Sequence, residues 1–163
     1  MIKKILFIVP IFLLVVTALF SFKKTSESAP YKCMIQMKNY TGEGAYVVVS
    51  LLNPNGEYEE TLYVQGDDDE WYFDITEWWS FQGKKRADID AITGATISGG
   101  QRTISVIRID KDKIDKGYKI RFETAVEDQE YHKDDIEFEL TTANLKSKIE
   151  GKGFIRYVRM LAQ

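Results

Sequence analysis

The sequence is poor in several residues that small proteins use for cross-links and catalysis. Its 163 residues include one cysteine, one histidine and three prolines. A single cysteine excludes an internal disulfide, and a single histidine excludes a multi-histidine metal site and weakens any Ser/His/Asp hypothesis. The low proline content and the 44% of hydrophobic residues argue against a disordered or repetitive chain. We therefore predict a globular body with one core.

Familiar site motifs are incomplete in this sequence. Gly94 to Gly99 match the first half of a phosphate-binding loop, but Gly100 and Gln101 follow where Lys and Ser or Thr are required. The acidic stretch from Asp67 to Glu70 lacks the alternating spacing of a calcium loop, so we expect a solvated loop there. We expect Cys33 to be a half-buried strand residue. His132 is expected to be a solvated surface residue.

The N-terminus carries a long apolar run. Lys3 and Lys4 are followed by eighteen predominantly apolar residues, Ile5 to Phe22. A signal peptide has an apolar stretch of about 7 to 15 residues and a spanning helix needs about 20, so both remain open. We predict that residues 1–30 are a signal peptide or membrane anchor helix and that residues 31–163 form one domain. The predicted location is extracytoplasmic, either periplasmic or anchored to the outer face of the cytoplasmic membrane.

The body is acidic. Residues 33–163 contain 17 Lys and Arg against 24 Asp and Glu, a net charge of −7. A body with this charge is a poor ligand for a polyanion. We therefore expect no nucleic-acid partner.

The body shows short strands separated by turns, as in a β-sandwich or barrel. The run Tyr46–Leu52 is too apolar to be half-exposed and predicts a central strand. The Asn53–Gly56 stretch predicts a turn, and Glu57 to Val64 predict the hairpin partner. A cap residue at Asp74 followed by Glu77 predicts one short helix leading into Trp78 and Trp79.

Period-two alternation continues towards the C-terminus. It predicts strands around residues 118–126 and 136–140, with Glu123 on a solvated face. In a regular strand Ile104 and Val106 would point to one face and Ile107 and Ile109 to the other, so we expect a bulge or burial on both faces there. Residues 150–163 fit both helical and strand spacing, and the two alternatives stay open.

A loop of small residues, 90–100, precedes the strand that contains Ile104. It contains the pattern Asp90-x-x-Thr93-Gly94-Ala95-Thr96, whose constrained positions coincide by chance at roughly 10⁻⁶ per start site. This pattern resembles the D-x-x-[S/T]-G-A-T signal of bacterial flavin transferases. The resemblance implies that a flavin transferase takes FMN from FAD outside the cytoplasm and joins its phosphate to the Thr96 hydroxyl. Small neighbours suit a loop that must enter another active site.

From Gly44 to Leu140 the chain resembles a family of small predicted periplasmic proteins of uncharacterised function that carry this signal. The shared features are a strand with an Asn-x-x-Gly turn, the Trp78-Trp79 pair, a glycine after the motif, and Asp115-Lys-Gly117-Tyr118. The resemblance implies an immunoglobulin-like sandwich of the flagellar hook-cap type and a PepSY-type membrane reductase as redox partner. This chain differs in being acidic near the tryptophan pair and in extending past Leu140.

The resemblance predicts an extracytoplasmic electron carrier with FMN covalently bound to Thr96, rather than an enzyme with its own substrate. Asp90, Thr93, Gly94 and Ala95 are the accompanying site residues. An uncleaved N-terminal segment would add the membrane as a partner. The alternative is an exported immunoglobulin-like binding module without cofactor, in which residues 90–100 are a plain linker. Trp78 and Trp79 are candidates for stacking on the flavin, with core packing as the other interpretation.

Overall fold

The computed structural model describes residues 27–66, 68–85 and 93–163, and within them nine strands form two sheets. The strands are β1 Ser28–Met37, β2 Tyr46–Leu52, β3 Tyr58–Gln65, β4 Thr93–Gly94, β5 Arg102–Asp110, β6 Lys119–Ala125, β7 His132–Glu139, β8 Lys148–Glu150 and β9 Ile155–Ala162. The helical elements are α1 Thr76–Lys85 and three short 3-10 segments, Asp69–Asp74, Lys111–Lys113 and Asn144–Lys146.

The two sheets form a sandwich. One has four strands in the order β5-β1-β9-β8, and the other has five in the order β4-β3-β2-β6-β7. All pairings are antiparallel except that of the two-residue β4 with β3. The predicted all-β sandwich with one short helix is confirmed. The predicted leader lies outside the described residues, and no helix within them is both long and apolar enough to cross a membrane.

The main core fills the space between the sheets. It is built from alternate residues of facing strands, because successive side chains of a strand point to opposite sides. Its larger members include Ile35, Met37, Val49, Leu51, Ile107, Ile109, Ile120, Phe122, Ile136, Leu140, Ile155 and Met160. Removing this apolar surface from water contributes about 25 cal/mol per Å² and holds the layers together.

Strand β2 lies between β3 and β6 and is buried on both faces. Val47, Val49 and Leu51 belong to the main core, whereas Val48 faces the other side. The predicted central strand is therefore confirmed. The predicted hairpin with β3 is confirmed too.

A second core covers the outer face of the five-stranded sheet. It contains Val48, Val64, Tyr72, Ile75, Trp78 and Ala125. The 3-10 segment Asp69–Asp74 and helix α1 supply its lid. The predicted short helix is present and begins at Thr76, because Asp74 ends the preceding 3-10 segment.

Strand β5 shows that the prediction of a bulge or two-sided burial was wrong. Its register with β1 is continuous over nine residue pairs. Ser105, Ile107 and Ile109 are buried, while Ile104 and Val106 are 61% and 51% exposed. The outward face of the four-stranded sheet thus carries exposed apolar side chains. The sequence prediction assumed that apolar strand residues are buried, so it could not anticipate this.

Glu123 lies in the second core instead of on the predicted solvated face. Its side chain is fully buried and accepts hydrogen bonds from the hydroxyls of Tyr58 (2.6 Å) and Tyr131. The helix and the 3-10 segment close over the face that alternation assigned to solvent. The carboxylate keeps partners there because the two tyrosines replace water.

Three further expectations are settled by the described strands. Residues 155–162 form strand β9, so the strand alternative holds for most of the segment left open. Cys33 is fully rather than half buried. His132 was expected to be solvated but is half-buried, with its ring 4.9 Å from that of Phe154 in an edge-on contact.

The buried Glu123 gives a pH-dependent prediction. Burial raises the pKa of Glu123 above its ordinary value of 4.5, in spite of the hydrogen bonds from Tyr131 and Tyr58. Between 4.5 and the raised pKa the folded state binds more protons than the unfolded state, so this group lowers stability as the pH rises. Relative to wild type, Glu123→Gln should therefore become more stable as the pH rises from below 4.5 to neutrality.

The measurement is urea unfolding of both proteins at the two ends of that pH range. Each tenfold change in proton affinity alters the difference in unfolding free energy by about 1.4 kcal/mol. Glu139→Gln, on an exposed residue of the neighbouring strand, is the matched control and should show a smaller trend. The prediction would be contradicted if the unfolding free energy of Glu123→Gln minus that of wild type stayed constant or fell as the pH rises.

Candidate functional site

The described part of the motif begins at the edge of the five-stranded sheet. Thr93 and Gly94 form β4 and pair in parallel with Val64 and Gln65 of β3. Asp90 lies outside the described residues. The structure therefore brings together the backbone of Thr93, Gly94, Ala95 and Thr96, and it does not test the role predicted for Asp90.

Thr96 lies between two fixed points of the backbone. On one side, the side-chain amide of Gln65 donates to the carbonyl of Ala95. On the other, Ile97 is buried and exchanges hydrogen bonds of 2.8 and 3.1 Å with the backbone of Ala45. Thr96 itself is exposed. The segment thus presents this residue to solvent on a defined backbone.

Tyr40 adds a further tie next to Thr96. Its hydroxyl donates to the carbonyl of Ile97 (2.5 Å) and accepts from the amide of Ala45 (2.8 Å). The ring packs on Phe154, with the ring centroids 5.0 Å apart. Tyr40, in the loop after β1, therefore holds the carbonyl group of Ile97 in place.

Close contact with neighbouring side chains explains two glycines at the site. A β-carbon at Gly44 would lie 2.7 Å from Cβ of Thr96, and one at Gly94 would lie 2.6 Å from the hydroxyl of Tyr63. Both distances are shorter than real Cβ contacts allow. Gly94 of the motif therefore has a packing reason of its own, apart from the access that the predicted modification would need.

The Thr96 side chain lines an open cleft of about 160 Å³. The lining residues are Glu43, Gly44, Tyr46, Trp71, Asp74, Thr96, Ala125, Val126 and Glu127. A second cleft of about 360 Å³ shares Trp71, Asp74, Ala125, Val126 and Glu127 with the first and adds Phe73, Asp128, Gln129 and Tyr131. Because the two adjoin, a ligand attached at Thr96 has a continuous surface along Trp71.

Trp71 is the aromatic residue of the site that sequence reasoning missed. It is half-buried, and its ring lies 6.3 Å from that of Phe73, which is 54% exposed. The predicted candidates lie elsewhere: Trp78 is fully buried and donates to the hydroxyl of Thr61 (2.9 Å), which confirms its core packing. Trp79 is 37% exposed and lies outside the lining of both clefts.

Tyr46 and Tyr72 hold the 3-10 segment that carries Trp71. The hydroxyl of Tyr72 donates to the carbonyl of Gly66 (2.9 Å), and the two tyrosine rings meet edge to face at 6.2 Å. The signal for an aromatic wall was present in the sequence as Trp71-Tyr72-Phe73. Trp71 and Thr96 line the same cleft only because of the tertiary fold, so sequence spacing alone could not identify their proximity.

The two clefts are acidic. Glu43, Asp74, Glu127 and Asp128 line them, and the described lining residues include no Lys or Arg. Such a surface repels a free anion and disfavours additional negative charge on a bound group. Any phosphate-bearing ligand therefore needs another means of retention.

Other cofactor chemistries find little support in the described part of the chain. No group of three or more His, Cys, Asp or Glu side chains is placed there to ligate a metal ion. Burial raises the pKa of the Cys33 thiol to about 12. This thiol, enclosed in the main core, is unsuited to nucleophilic or redox chemistry.

A family model described as "Predicted periplasmic protein (DUF2271)" matches residues 28–157. The chain belongs to this family, and the match runs from the start of β1 into β9, so it includes the Thr96 segment and both sheets. The protein is extracytoplasmic, as the sequence predicted. No curated protein and no solved structure matches the chain significantly.

The close contact at Gly44 gives a prediction about the Thr96 segment. In Gly44→Ala the new methyl group would collide with the Thr96 side chain, so the bridge between Ala45 and Ile97 should loosen. We expect faster amide hydrogen exchange at Ile97, by roughly tenfold for about 1.4 kcal/mol of local destabilisation.

Ile120 of β6, in the main core, should exchange as in wild type and serves as the internal reference. Tyr40→Phe is a second variant, which removes the hydrogen bonds of the Tyr40 hydroxyl to the same bridge without adding volume. It should also make amide hydrogen exchange at Ile97 faster. Unchanged exchange at Ile97 in both variants would show that these contacts do not hold the segment.

Proposed function

We propose that this family member is an extracytoplasmic electron carrier with FMN esterified to Thr96. In the attachment step, Thr96 Oγ bonds to the FMN phosphorus of FAD, the phosphoanhydride bond breaks, and AMP leaves. The hydroxyl proton passes to a base or water in the flavin transferase. No electrons are transferred in this step, and the product is a phosphodiester.

The observation that carries the proposal is the position of Thr96. Its side chain is exposed, its backbone neighbours are tied to Gln65 and Ala45, and it borders a cleft with aromatic walls. A transferase can reach such a hydroxyl, and the attached group then has a defined starting point on the protein surface. Together with the motif that contains Thr96, this supports a modification site over a plain linker.

The adjoining clefts fit the size and character of a planar cofactor. The larger, at about 360 Å³, falls within the range of about 300 to 1,000 Å³ typical of ligand sites. Trp71 and Phe73 offer ring faces, and flat aromatic rings favour offset stacking. We assign Trp71 to contact the isoalloxazine ring, in place of the Trp78-Trp79 pair.

The role as a carrier follows from the openness and charge of the site. FMN, once bound, supplies the redox chemistry, while this chain supplies attachment, exposure and electrostatics. Glu43, Asp74 and Glu127 disfavour added negative charge and therefore favour release of electrons from the reduced group. A PepSY-type membrane reductase is the proposed donor, and an extracytoplasmic protein is the proposed acceptor.

The direct test is intact-mass analysis of the chain produced with and without a flavin transferase. We expect an FMN adduct that requires the transferase, survives denaturation and is absent from Thr96→Ala, because no other hydroxyl occupies the acceptor position of the motif. Peptide mapping should place the adduct on the peptide that contains Thr96.

Ser98→Ala is the matched control for the same loop. Ser98 is exposed and lies two residues from Thr96, so the control variant should keep the full adduct. An unmodified wild-type chain from a host with the transferase, or an adduct that persists in Thr96→Ala, would reject the proposal. The cofactor-free binding module would then be the better interpretation.

A second prediction concerns Trp71. In flavinylated Trp71→Leu, loss of the stacking partner should increase flavin fluorescence and shift the visible absorption bands, while the mass adduct stays intact. Trp79→Leu removes an indole of the same size outside both clefts and should leave the spectrum unchanged. A spectrum that responds to Trp79 and not to Trp71 would assign the ring to the other tryptophan.

A further inference from the structure

The outer face of the four-stranded sheet is amphipathic. Ile104, Val106 and Leu161 are among the large apolar residues most exposed in the described chain, and Leu161 is 55% exposed. The strand register makes them neighbours: Lys32 of β1 lies opposite both Val106 of β5 and Leu161 of β9. The three aliphatic side chains therefore project from one surface.

The same face is basic although the body is acidic. Residues that lie opposite each other in an antiparallel pair project to the same side of the sheet. The strand register and the exposure of the side chains therefore identify five cations on the outward face: Lys32, Arg102, Arg108, Lys148 and Arg159. Arg102 bonds to Gln36 (3.0 Å) and reaches the hydroxyl of Tyr157 (3.4 Å), which confirms that β5, β1 and β9 share this surface.

The acidic residues of this face lie at its margins. Glu150 of the short edge strand β8 pairs with Lys148 at 2.9 Å. Asp110, the last residue of β5, lies 3.8 Å from Lys113. The centre of the face therefore combines aliphatic side chains with Arg and Lys.

We propose that this face docks on an anionic phospholipid surface. Aliphatic side chains interspersed with Lys and Arg are the combination that amphipathic membrane-surface elements use, because the former enter the headgroup region and the latter bind lipid phosphates. The same cations would suit an acidic protein, but aliphatic side chains distributed among the cations over the outward face of three neighbouring strands fit a lipid surface better.

The distance along the chain supports a membrane as the occupant. In the sequence, residues 23–27 separate the apolar run ending at Phe22 from β1. Five residues span at most about 18 Å, so a chain that keeps the run holds β1 close to the bilayer. Lys32 and Met34 of this strand lie on the proposed face, and the cleft beside Thr96 lies on the other layer of the sandwich, where docking leaves it open.

The test uses the chain in the length at which its host exports it, combined with vesicles of phosphatidylcholine alone or mixed with phosphatidylglycerol. An environment-sensitive fluorophore is attached at Val106→Cys, since the native Cys33 is buried. We expect a blue shift and quenching by a lipid-borne nitroxide in the mixed vesicles, and both should decline at high salt. The same label at Ser80→Cys, on α1 over the other layer, should not respond.

Arg108→Gln with Arg159→Gln should weaken docking by roughly fivefold per removed charge. An unchanged urea midpoint shows that the labelled and charge-reduced chains remain folded. Equal signals at positions 106 and 80, or no effect of phosphatidylglycerol, would overturn the proposal. A signal at position 106 that needs an added acidic protein would also overturn it and assign the face to that protein. None of these outcomes depends on flavin attachment.

Discussion

The burial of β2 on both faces is the constraint from which the rest of the structure follows. A strand that is apolar on both sides needs a second sheet against one face and a cover on the other. The chain supplies that cover with the 3-10 segment Asp69–Asp74 and helix α1. This cover brings Trp71 to the start of β2, where Gly44 and Ala45 meet Thr96 and Ile97. The candidate site is therefore a consequence of how the second core is closed.

The proposed acceptor segment around Thr96 would meet two opposing requirements. A residue that another protein modifies must be exposed, whereas a residue that positions a redox group must be held in place. Here the exposed Thr96 lies between a buried neighbour, Ile97, and a carbonyl bound by Gln65. The hydrogen bonds of the neighbours cost the Thr96 side chain no accessibility, because they involve only backbone atoms of the segment. The backbone around Thr96 is thus held in place while the Thr96 side chain stays exposed.

The features that the sequence could predict are those controlled by local pattern. The β2–β3 hairpin follows from an apolar run and the Asn53–Gly56 turn. Helix α1 was predicted from the Asp74 and Glu77 pair, although Asp74 ends the preceding 3-10 segment. Ile104, Val106 and Glu123 could not be placed, since alternation shows only that two faces differ. It does not reveal which face another element covers. Trp71 was missed for a related reason: it lines the same cleft as Thr96 although it lies 25 residues earlier in the chain, and no spacing along the chain encodes that proximity.

The acid lining of the cleft gives a physical reason for covalent attachment in the proposed carrier. A phosphate monoester carries a charge of about −1.5 to −2 at neutral pH, and the carboxylates of Glu43, Asp74 and Glu127 would oppose its retention. Esterification to Thr96 removes one ionisable oxygen and makes retention independent of affinity. The acidic residues can then act on the electron affinity of the ring without releasing the cofactor. Covalent linkage and an acidic, open cleft are therefore consistent parts of one arrangement, whereas a neutral linker would require neither.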